Sequence, residues 1–330
     1  MHILITGGAG FIGSHLAEYH LHRGDRVHVV DNLSTGSLDN VRLFTHHADY
    51  RFDQADILAW AGLQQAVGWA DRIYHMAAIV GVKRVLEDPV RVMDTNMAGT
   101  ERVLRAVHRG GWNPQVVIAS SSEVYGFNAA GSFSEDDDVV LRSGGRLRWN
   151  YAVTKLADEF LAFSYVRKYG LSISIPRLFN TIGPRQVGHY GMVVPGFVRQ
   201  AVRGEPITVY GDGSQTRSFC DVRDTVVALD RLASTPEAKG EIVNVGNDRS
   251  ITVLDLANLV REMAGSDSPV VFTPDSEAYY RGFQGIRHRK PSLDKLERLV
   301  DFAPEYSLED TIADLLAAAR PAVQGAGATS

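Results

Sequence analysis

Tyr151 and Lys155 are separated by three residues, the spacing at which two side chains share one face of a helix. A tyrosine whose pKa stays near its reference value of about 10 is a weak base at neutral pH. A neighbouring ammonium group favours the phenolate and can bring the phenol into a working range. The pair therefore predicts a base that removes the proton of an alcohol, although the motif by itself is common.

A polar run, Ser-Ser-Ser-Glu, follows the fifth predicted strand, Gln115–Ala119. In doubly wound sheets, ligands bind at the carboxyl ends of the strands. Ser121 or Ser122 can there share a hydrogen bond with the alcohol that Tyr151 deprotonates. Glu123 can move a second proton or orient a group of the substrate. The alternatives are turn chemistry for the serines and a solvated loop charge for the glutamate.

A glycine-rich turn joins the first predicted strand to the first predicted helix and contains Gly7, Gly10 and Gly13. Glycine at these spacings lets the backbone approach a pyrophosphate, whose charge the helix N-terminus favours. Asp31 ends the second predicted strand, where its carboxylate can accept hydrogen bonds from an adenosine ribose and would repel a 2′-phosphate. We therefore predict that the chain binds NAD rather than NADP. A generic turn beside a surface aspartate is the alternative.

Further cofactor contacts are expected where the next two strands end. Asp56 can face the adenine amino group, although a helix cap is nearly as good an interpretation. The small residues Ala77 and Ala78 allow the backbone to approach the cofactor. The residues predicted to bind the cofactor are Gly7, Gly10, Phe11, Ile12, Gly13, Asp31, Asn32, Asp56, Ile57, Ala77, Ala78 and Lys155.

The elements that must position these residues alternate between short β-rich runs and helical stretches, which predicts βαβ units and a parallel sheet. The predicted strands are His2–Thr6, Arg26–Asp31, Tyr50–Asp53, Arg72–His75, Gln115–Ala119 and Leu171–Pro176, and the predicted helices of this half are Phe11–Arg23, Ala59–Val67, Val90–Arg109 and Tyr151–Tyr169. After about residue 180 the β runs are short and glycine and proline are more frequent.

We therefore predict an α/β fold with a Rossmann-type doubly wound parallel sheet and a smaller mixed α/β C-terminal substrate lobe. Residues 1–180 are predicted to form the NAD-binding domain with part of the active site, and residues 181–320 mainly the substrate lobe. The small and polar segment 321–330 is predicted to be a disordered tail.

Composition narrows the class of protein. The chain has 330 residues, of which 45% are hydrophobic and 22% charged, as in a globular protein with a large core. Its net charge is −5 and no basic stripe occurs, so nucleic acid is not an expected partner. We see no signal peptide and no run long enough to span a bilayer, so we expect no membrane association and a cytoplasmic location. The single cysteine, Cys220, excludes a disulfide within the chain. We predict no metal site.

Together these residues resemble the extended short-chain dehydrogenases/reductases that modify nucleotide sugars, the epimerase/dehydratase family. The segments that carry the resemblance are Gly7–Gly13, Asp31, Ser122–Gly126, Tyr151, Lys155, Arg177–Asn180, Gly183–Arg185 and Val209–Arg217. The resemblance implies oxidation of the sugar at C4, with the hydride passing to NAD. We expect Asn180 to bind the pyrophosphate, Arg217 and Arg185 to neutralise it, and Val194 and Tyr210 to contact the nucleotide.

Within the family, the segment Ser122–Gly126 is similar to that of the UDP-glucuronate decarboxylases. In the 4,6-dehydratases an Asp-Glu pair stands at this place, so the general acid of a dehydratase is missing here. Arg148 before the tyrosine and the late segment Tyr279–Ser292 agree with the decarboxylases. The resemblance implies that Arg289 reaches the active site, where Arg148 and Arg289 would orient a carboxylate or assist proton delivery to C5.

We therefore expect NAD-dependent decarboxylation of a UDP- or dTDP-linked glucuronic acid, UDP-glucuronate in the first place, through a 4-keto intermediate to a 4-keto-pentose or xylose nucleotide. The catalytic residues would be Tyr151, Lys155, Ser121, Ser122, Glu123 and Arg289. One alternative is a 4-epimerase of a UDP-hexose or UDP-uronic acid. A remote alternative is a non-catalytic NAD-sensing protein, against which the presence of both the tyrosine and the lysine argues. The resemblance also implies a homodimer that forms through Val90–Arg109 and Tyr151–Tyr169.

Overall fold

Strands that alternate with helices form one large parallel sheet, as the sequence predicts. The computed structural model describes residues 1–127, 131–142, 147–186, 192–274 and 287–326. Its strands are β1 (His2–Thr6), β2 (Arg26–Asp31), β3 (Tyr50–Gln54), β4 (Arg72–His75), β5 (Gln115–Ile118), β6 (Ser120–Ser121), β7 (Ile173–Leu178), β8 (Thr181–Ile182), β9 (Ile207–Tyr210), β10 (Thr216–Ser218), β11 (Cys220–Asp221), β12 (Ile242–Val245), β13 (Ser250–Thr252), β14 (Val270–Thr273) and β15 (His288–Arg289). Its helices are α1 (Phe11–His22), α2 (Leu38–Arg42), α3 (Leu63–Trp69), α4 (Val82–Glu87), α5 (Pro89–Arg109), α6 (Asn150–Tyr169), α7 (Val193–Arg203), α8 (Val222–Ser234), α9 (Val253–Ala264), α10 (Asp294–Val300) and α11 (Leu308–Ala326).

The large sheet has the order β12-β7-β5-β4-β1-β2-β3, and the short strand β6 also pairs with β7. Every pairing in it is parallel. Successive side chains of the central strand face opposite sides of the sheet. Leu4 packs into a core with α3, α5 and α6, whereas Ile3 and Ile5 pack into a second core with α1 and α8. The predicted α/β class and doubly wound sheet are therefore confirmed.

The second half of the chain is divided between the large sheet and a smaller lobe. Strand β12 adds to the edge of the large sheet beside β7, and helix α8 covers the same face as α1. Residues 181–320 are predicted to form mainly the smaller lobe, and β12 and α8 are parts of this range that join the large sheet. After residue 180 the β runs become shorter and glycine and proline more frequent, because segments of the smaller lobe alternate with the elements that join the large sheet.

The smaller lobe is built around α7, α9 and α11. Val198, Leu256 and Ile312 lie in its core together with Ile207 of β9. Strand β9 pairs with β14, and a separate three-stranded sheet has the order β13-β10-β15. This second sheet brings residue 289 beside residue 217, although the two are far apart in sequence.

Most predicted boundaries lie within two residues of the observed ones, and two differ by more. Helix α3 begins at Leu63 and not at Ala59, because residues 56–60 form a turn in which the amides of Ala59 and Trp60 bond to the Asp56 carbonyl. Helix α11 continues to Ala326, so residues 321–326 are helical where the sequence predicts a disordered tail. Among the helices described, none has the length and apolar character needed to cross a bilayer.

Candidate active site

A cavity of about 1310 Å³ runs along the carboxyl ends of the parallel strands and continues beneath the smaller lobe. It begins at the glycine turn before α1 and reaches Arg289 on β15. Predicted residues that line it are Gly7, Gly10, Phe11, Ile12, Gly13, Asp31, Asn32, Ile57, Ala77, Ala78, Ser121, Ser122, Glu123, Arg148, Tyr151, Lys155, Asn180, Val194, Tyr210, Arg217 and Arg289. Two predicted residues, Asp56 and Arg185, do not line it.

The glycine turn is a cradle in which a Cβ atom would not fit. Gly7 has a φ of +72°, and a Cβ placed there would lie 2.7 Å from the Ala77 nitrogen. A Cβ on Gly13 would lie 2.3 Å from the Gly7 carbonyl oxygen. Helix α1 starts without a side-chain cap, because Gly10 occupies the N-cap position. The N-terminal amides of α1 therefore face the cavity without competition from a cap, which suits the pyrophosphate of a dinucleotide.

Asp31 lies at the end of β2, at the edge of this cradle. Its carboxylate accepts hydrogen bonds from the backbone amides of Ala9 at 3.1 Å and Leu33 at 2.7 Å. Burial raises the pKa of Asp31, and these amides oppose the rise. The two bonds fix the orientation of the carboxylate toward the cavity. This is the geometry expected of a residue that hydrogen-bonds to the adenosine ribose.

Asp56 is a turn cap, the alternative that the sequence leaves open. Its carboxylate accepts hydrogen bonds from the Leu58 amide and from the side chain of Asn32, both at 2.9 Å. The prediction that Asp56 faces the adenine is therefore not supported by its position. Asp56 instead orients Asn32, which does line the cavity.

Arg185 is turned toward α1, and its predicted role in neutralising the pyrophosphate is also not supported. Its guanidinium lies 2.5 Å from the carboxylate of Glu18 and donates to the hydroxyl of Ser14 at 3.4 Å. The backbone of Arg185 has a φ of +67°, in the left-handed region that non-glycine residues seldom adopt. The sequence alone does not reveal that this arginine is already paired with a carboxylate.

Tyr151 and Lys155 lie in the first turns of α6, and both reach the cavity. Ser121 at the end of the neighbouring strand β6 lines the same cavity, and its side chain helps to lower the pKa of the Tyr151 hydroxyl. Burial raises the pKa of Tyr151, and the ammonium of Lys155 is the largest influence that opposes the rise. Lys155 thus lowers the pKa of Tyr151, as predicted, but burial raises this pKa by more. The phenol needs the ammonium to offset its burial before it can act as a base.

Sequence reasoning missed the counter-ion of this lysine. The Lys155 ammonium lies 3.2 Å from the carboxylate of Asp158, and both side chains are almost fully buried. The spacing Lys-x-x-Asp on one helix was the available signal, since residues three apart are neighbours on a helix. That spacing is too frequent to have identified the pair without coordinates.

Glu123 is held between two arginines. One oxygen of its carboxylate lies 2.5 Å from Arg289, and the other lies 3.2 Å from Arg148. Burial alone would raise the pKa of Glu123, but the guanidinium of Arg289, followed by that of Arg148, lowers it below its ordinary value. Glu123 is therefore a carboxylate, and the expectation that it moves a proton is less well supported than a role in orienting charged groups.

Different elements bring the two arginines to Glu123. Arg148 precedes α6 and stacks on Trp149, with its guanidinium carbon 4.4 Å from the ring centre. Arg289 lies on β15, where it pairs in register with Arg217 of β10. The Arg217 guanidinium donates to the carbonyls of Thr216 and Arg287, so it braces the strand that carries Arg289. Residues 279–286 of the late segment lie outside the described residues.

A second buried ion pair ties the catalytic helix to the sheet, and sequence reasoning missed it as well. The carboxylate of Glu159 on α6 accepts two hydrogen bonds of 2.8 Å from Arg177 on β7. It also accepts one of 2.5 Å from Ser120 on β6. These three bonds set the position of α6 relative to the strand that leads into Ser121 and Glu123.

Residues 3–246 match the NAD dependent epimerase/dehydratase family. The chain belongs to this family. It is similar to a UDP-N-acetyl-α-D-glucosaminuronate decarboxylase of Bacillus cytotoxicus, with 38% identity over 95% of this chain and 96% of that protein. It is also similar to UDP-glucuronic acid decarboxylase 1 of Danio rerio, with 33% identity over 93% of this chain and 70% of that protein.

Among solved structures, the chain resembles a UDP-glucuronic acid 4-epimerase of Bacillus cereus in complex with UDP-glucuronic acid and NAD. The TM-score is 0.87 at 26% identity, over 98% of this chain and 100% of that one. The family is NAD-dependent, and the cradle with Asp31 fits that cofactor. The predicted cofactor is therefore confirmed.

The close contact at Gly13 gives a test of the cradle. Gly13→Ala would force the Gly7 carbonyl to move, and overpacking of this kind costs about 1–3 kcal/mol. We expect the NAD dissociation constant, measured by calorimetry, to rise about tenfold. Gly68→Ala is the matched control, because a Cβ on Gly68 of α3 meets no atom within 4 Å. Equal NAD affinity in both variants would contradict the cradle.

Proposed function

We propose that the chain catalyses the NAD-dependent decarboxylation of a UDP-linked uronic acid, with UDP-glucuronate as the first candidate. One observation carries the proposal: Glu123 is held between Arg148 and Arg289 in the cavity that also contains the Tyr151 hydroxyl. Both guanidiniums line this cavity, and guanidinium groups bind carboxylates through charge-assisted hydrogen bonds. The carboxylate of a uronic acid substrate could therefore bind in the same place.

The arrangement of side chains suits an oxidation followed by loss of carbon dioxide. Tyr151 takes the proton of the C4 hydroxyl, and the Ser121 hydroxyl orients that group. NAD, when bound, supplies the acceptor for the C4 hydride. The C4 ketone makes the C6 carboxylate that of a β-keto acid, so the bond from C5 to the carboxylate breaks and its electron pair moves toward the ketone oxygen. A proton then reaches C5, on the side of the cavity where Arg148 and Arg289 lie.

The charge state of Glu123 limits its part in these steps. Because Arg289 and Arg148 lower its pKa, Glu123 holds no proton to give at neutral pH. We assign it to the orientation of the two guanidiniums. When a uronic acid enters, its carboxylate competes with Glu123 for these donors, and Glu123 keeps them in place between turnovers.

Two relatives support decarboxylation, but they differ in the sugar on which they act. Both are named as decarboxylases of a UDP-linked uronic acid, one with an N-acetyl group in its substrate and one without. They also favour UDP over dTDP as the nucleotide. The product is a 4-keto-pentose nucleotide if it leaves before the hydride returns to C4, and a xylose nucleotide if it leaves afterwards.

A 4-epimerase is the second candidate, which the Bacillus cereus structure favours because that protein is named as a UDP-glucuronic acid 4-epimerase. Its identity to this chain is 26%, lower than that of the decarboxylases. A non-catalytic NAD-sensing protein is disfavoured, because Tyr151, Lys155 and Ser121 meet in the cavity.

We also propose that the chain forms a homodimer through α5 and α6, which pack side by side. Each exposes two apolar side chains seven residues apart: Val90 and Met97 on α5, and Val153 and Phe160 on α6. Val90 and Phe160 are 68% and 66% exposed, which is unfavourable for large apolar groups unless a partner covers them. The cytoplasmic location expected from the sequence stays a prediction.

The reaction is tested by the mass of the product. With NAD and UDP-glucuronate, the protein should release carbon dioxide. Mass spectrometry should then detect a nucleotide lighter by carbon dioxide if the hydride returns to C4, or lighter by carbon dioxide and two hydrogen atoms, with NADH formed, if the 4-keto product is released. UDP-glucose, which has no carboxylate, is the matched control substrate, and UDP-N-acetylglucosaminuronate tests the C2 substituent. An isomer of unchanged mass would indicate 4-epimerisation and refute the proposal.

The role of the carboxylate between the arginines is tested by Glu123→Gln. The variant leaves two guanidiniums without their counter-ion, and we expect the rate of carbon dioxide release to fall about 100-fold. NAD affinity should be unchanged, because Glu123 lies outside the glycine cradle. Glu309→Gln is the control, since Glu309 pairs with Arg249 at 2.6 Å at an exposed position on α11. Near-normal release by Glu123→Gln would rule out the assigned role.

The dimer is tested by Phe160→Asp, which places a charge on the exposed face of α6. We expect sedimentation to show a dimer for the unaltered protein and a monomer for this variant. Phe272→Asp is the control, because Phe272 on β14 is also exposed, at 55%, but belongs to the smaller lobe. A dimer that persists in Phe160→Asp would show that the interface lies elsewhere.

A further inference from the structure

A buried carboxylate lies on the far side of the catalytic lysine from its tyrosine along α6. Asp158 follows Lys155 by one turn, and the Asp158 carboxylate accepts a hydrogen bond of 3.2 Å from the Lys155 ammonium. The side chains are 1% and 3% exposed, respectively. The steps proposed above do not use this carboxylate. Burial raises the pKa of Asp158, and the Lys155 ammonium is the largest influence that opposes the rise. The ion pair with Lys155 thus favours the charged form of the buried carboxylate.

We propose that Asp158 is a positioning residue of the oxidation step: it anchors the Lys155 ammonium at the floor of the cavity and limits how much of the lysine's charge acts on Tyr151. An ammonium group has three N–H donors. The bond to Asp158 uses one, which leaves two that can point toward the cavity that Lys155 lines. The inference rests on the proposed function only in treating Tyr151 as the base.

The direction of the effect follows from charge. A carboxylate near the phenol repels the phenolate, so Asp158 raises the pKa of Tyr151 while Lys155 lowers it. The same carboxylate raises the pKa of Lys155 against the effect of burial, and so keeps the ammonium charged. Asp158 thus has two opposed effects on Tyr151. It keeps the Lys155 ammonium charged, and its own negative charge cancels part of the effect of that ammonium on the phenol.

Other charged groups around the pair cannot replace this role. On α6, Glu159 is paired with Arg177 of β7. In the loop after β6, Glu123 is held by Arg289 and Arg148.

The remaining titratable neighbour is a histidine. His75 at the end of β4 is fully buried, and burial followed by the Lys155 charge lowers its pKa to about 3, so it stays neutral at working pH. The described residues therefore leave Asp158 as the carboxylate that contacts Lys155 directly.

The experiment titrates the Tyr151 phenol itself. The near-ultraviolet absorbance of tyrosinate is followed with rising pH in the NAD-loaded protein, and the curve of the matching Tyr151→Phe protein is subtracted. The same pair of curves is recorded in the Asp158→Asn background. The amide has the shape of the carboxylate without its charge, so we expect the midpoint for Tyr151 to fall by about one pH unit.

Asp158→Glu is the matched control, because it keeps the negative charge and should keep the midpoint near that of the unaltered protein. An unchanged or higher midpoint in Asp158→Asn would overturn the inference, as would an equal fall in Asp158→Glu. A merely structural role lowers the melting temperature without moving the midpoint. If Asp158→Asn does not fold, Asp158→Ser removes the same charge. Its Tyr151 midpoint is then judged by the same criteria. No substrate is present, so failure to decarboxylate UDP-glucuronate would not affect the result.

Discussion

The burial of charge at the carboxyl edge of the sheet is the constraint on which the rest of the site depends. A phenol that is to become a base must lose its proton in a place largely shielded from water, where burial favours the neutral form. In this chain burial raises the pKa of Tyr151, and the nearby ammonium only partly offsets it. The ammonium is itself buried and needs a carboxylate of its own. Each buried charge that assists the reaction thus needs a counter-ion to stabilise it.

Two separate sets of charges meet this requirement. One set lies on α6 and consists of Lys155 with Asp158, beside the tyrosine that we propose as the base of the oxidation. The other set is Glu123 with Arg148 and Arg289, and it faces the substrate. The first set comes from one helix, so its geometry is local. The second joins three segments distant in sequence, so it depends on the smaller lobe packing correctly on the sheet.

This difference explains which parts of the site could be predicted from the sequence. The glycine turn, Asp31 and the pair Tyr151–Lys155 depend on local spacing and on the order of strands and helices, and the structure places them in one cavity. The contact of Glu123 with Arg289 spans 166 residues, and the family resemblance implies only that Arg289 reaches the active site. Other features of the structure also depend on contacts that are distant in sequence. Arg185 cannot be recognised as paired, because its partner Glu18 lies 167 residues away. Helix α8 and strand β12 return to the large sheet, whereas periodicity predicts an element but not the sheet that it joins.

The separation of the two charge sets has a consequence for function. The oxidising set and the cofactor cradle are fixed to the rigid sheet, where Glu159 ties α6 to β6 and β7. The substrate set is carried by the segment before α6 and by a two-residue strand, β15, that Arg217 braces. Changes in the second set can therefore alter the steps after oxidation without disturbing the oxidation itself. The chain is similar to proteins named as decarboxylases and as epimerases, and the proposed function assigns the difference between these reactions to the environment of Glu123.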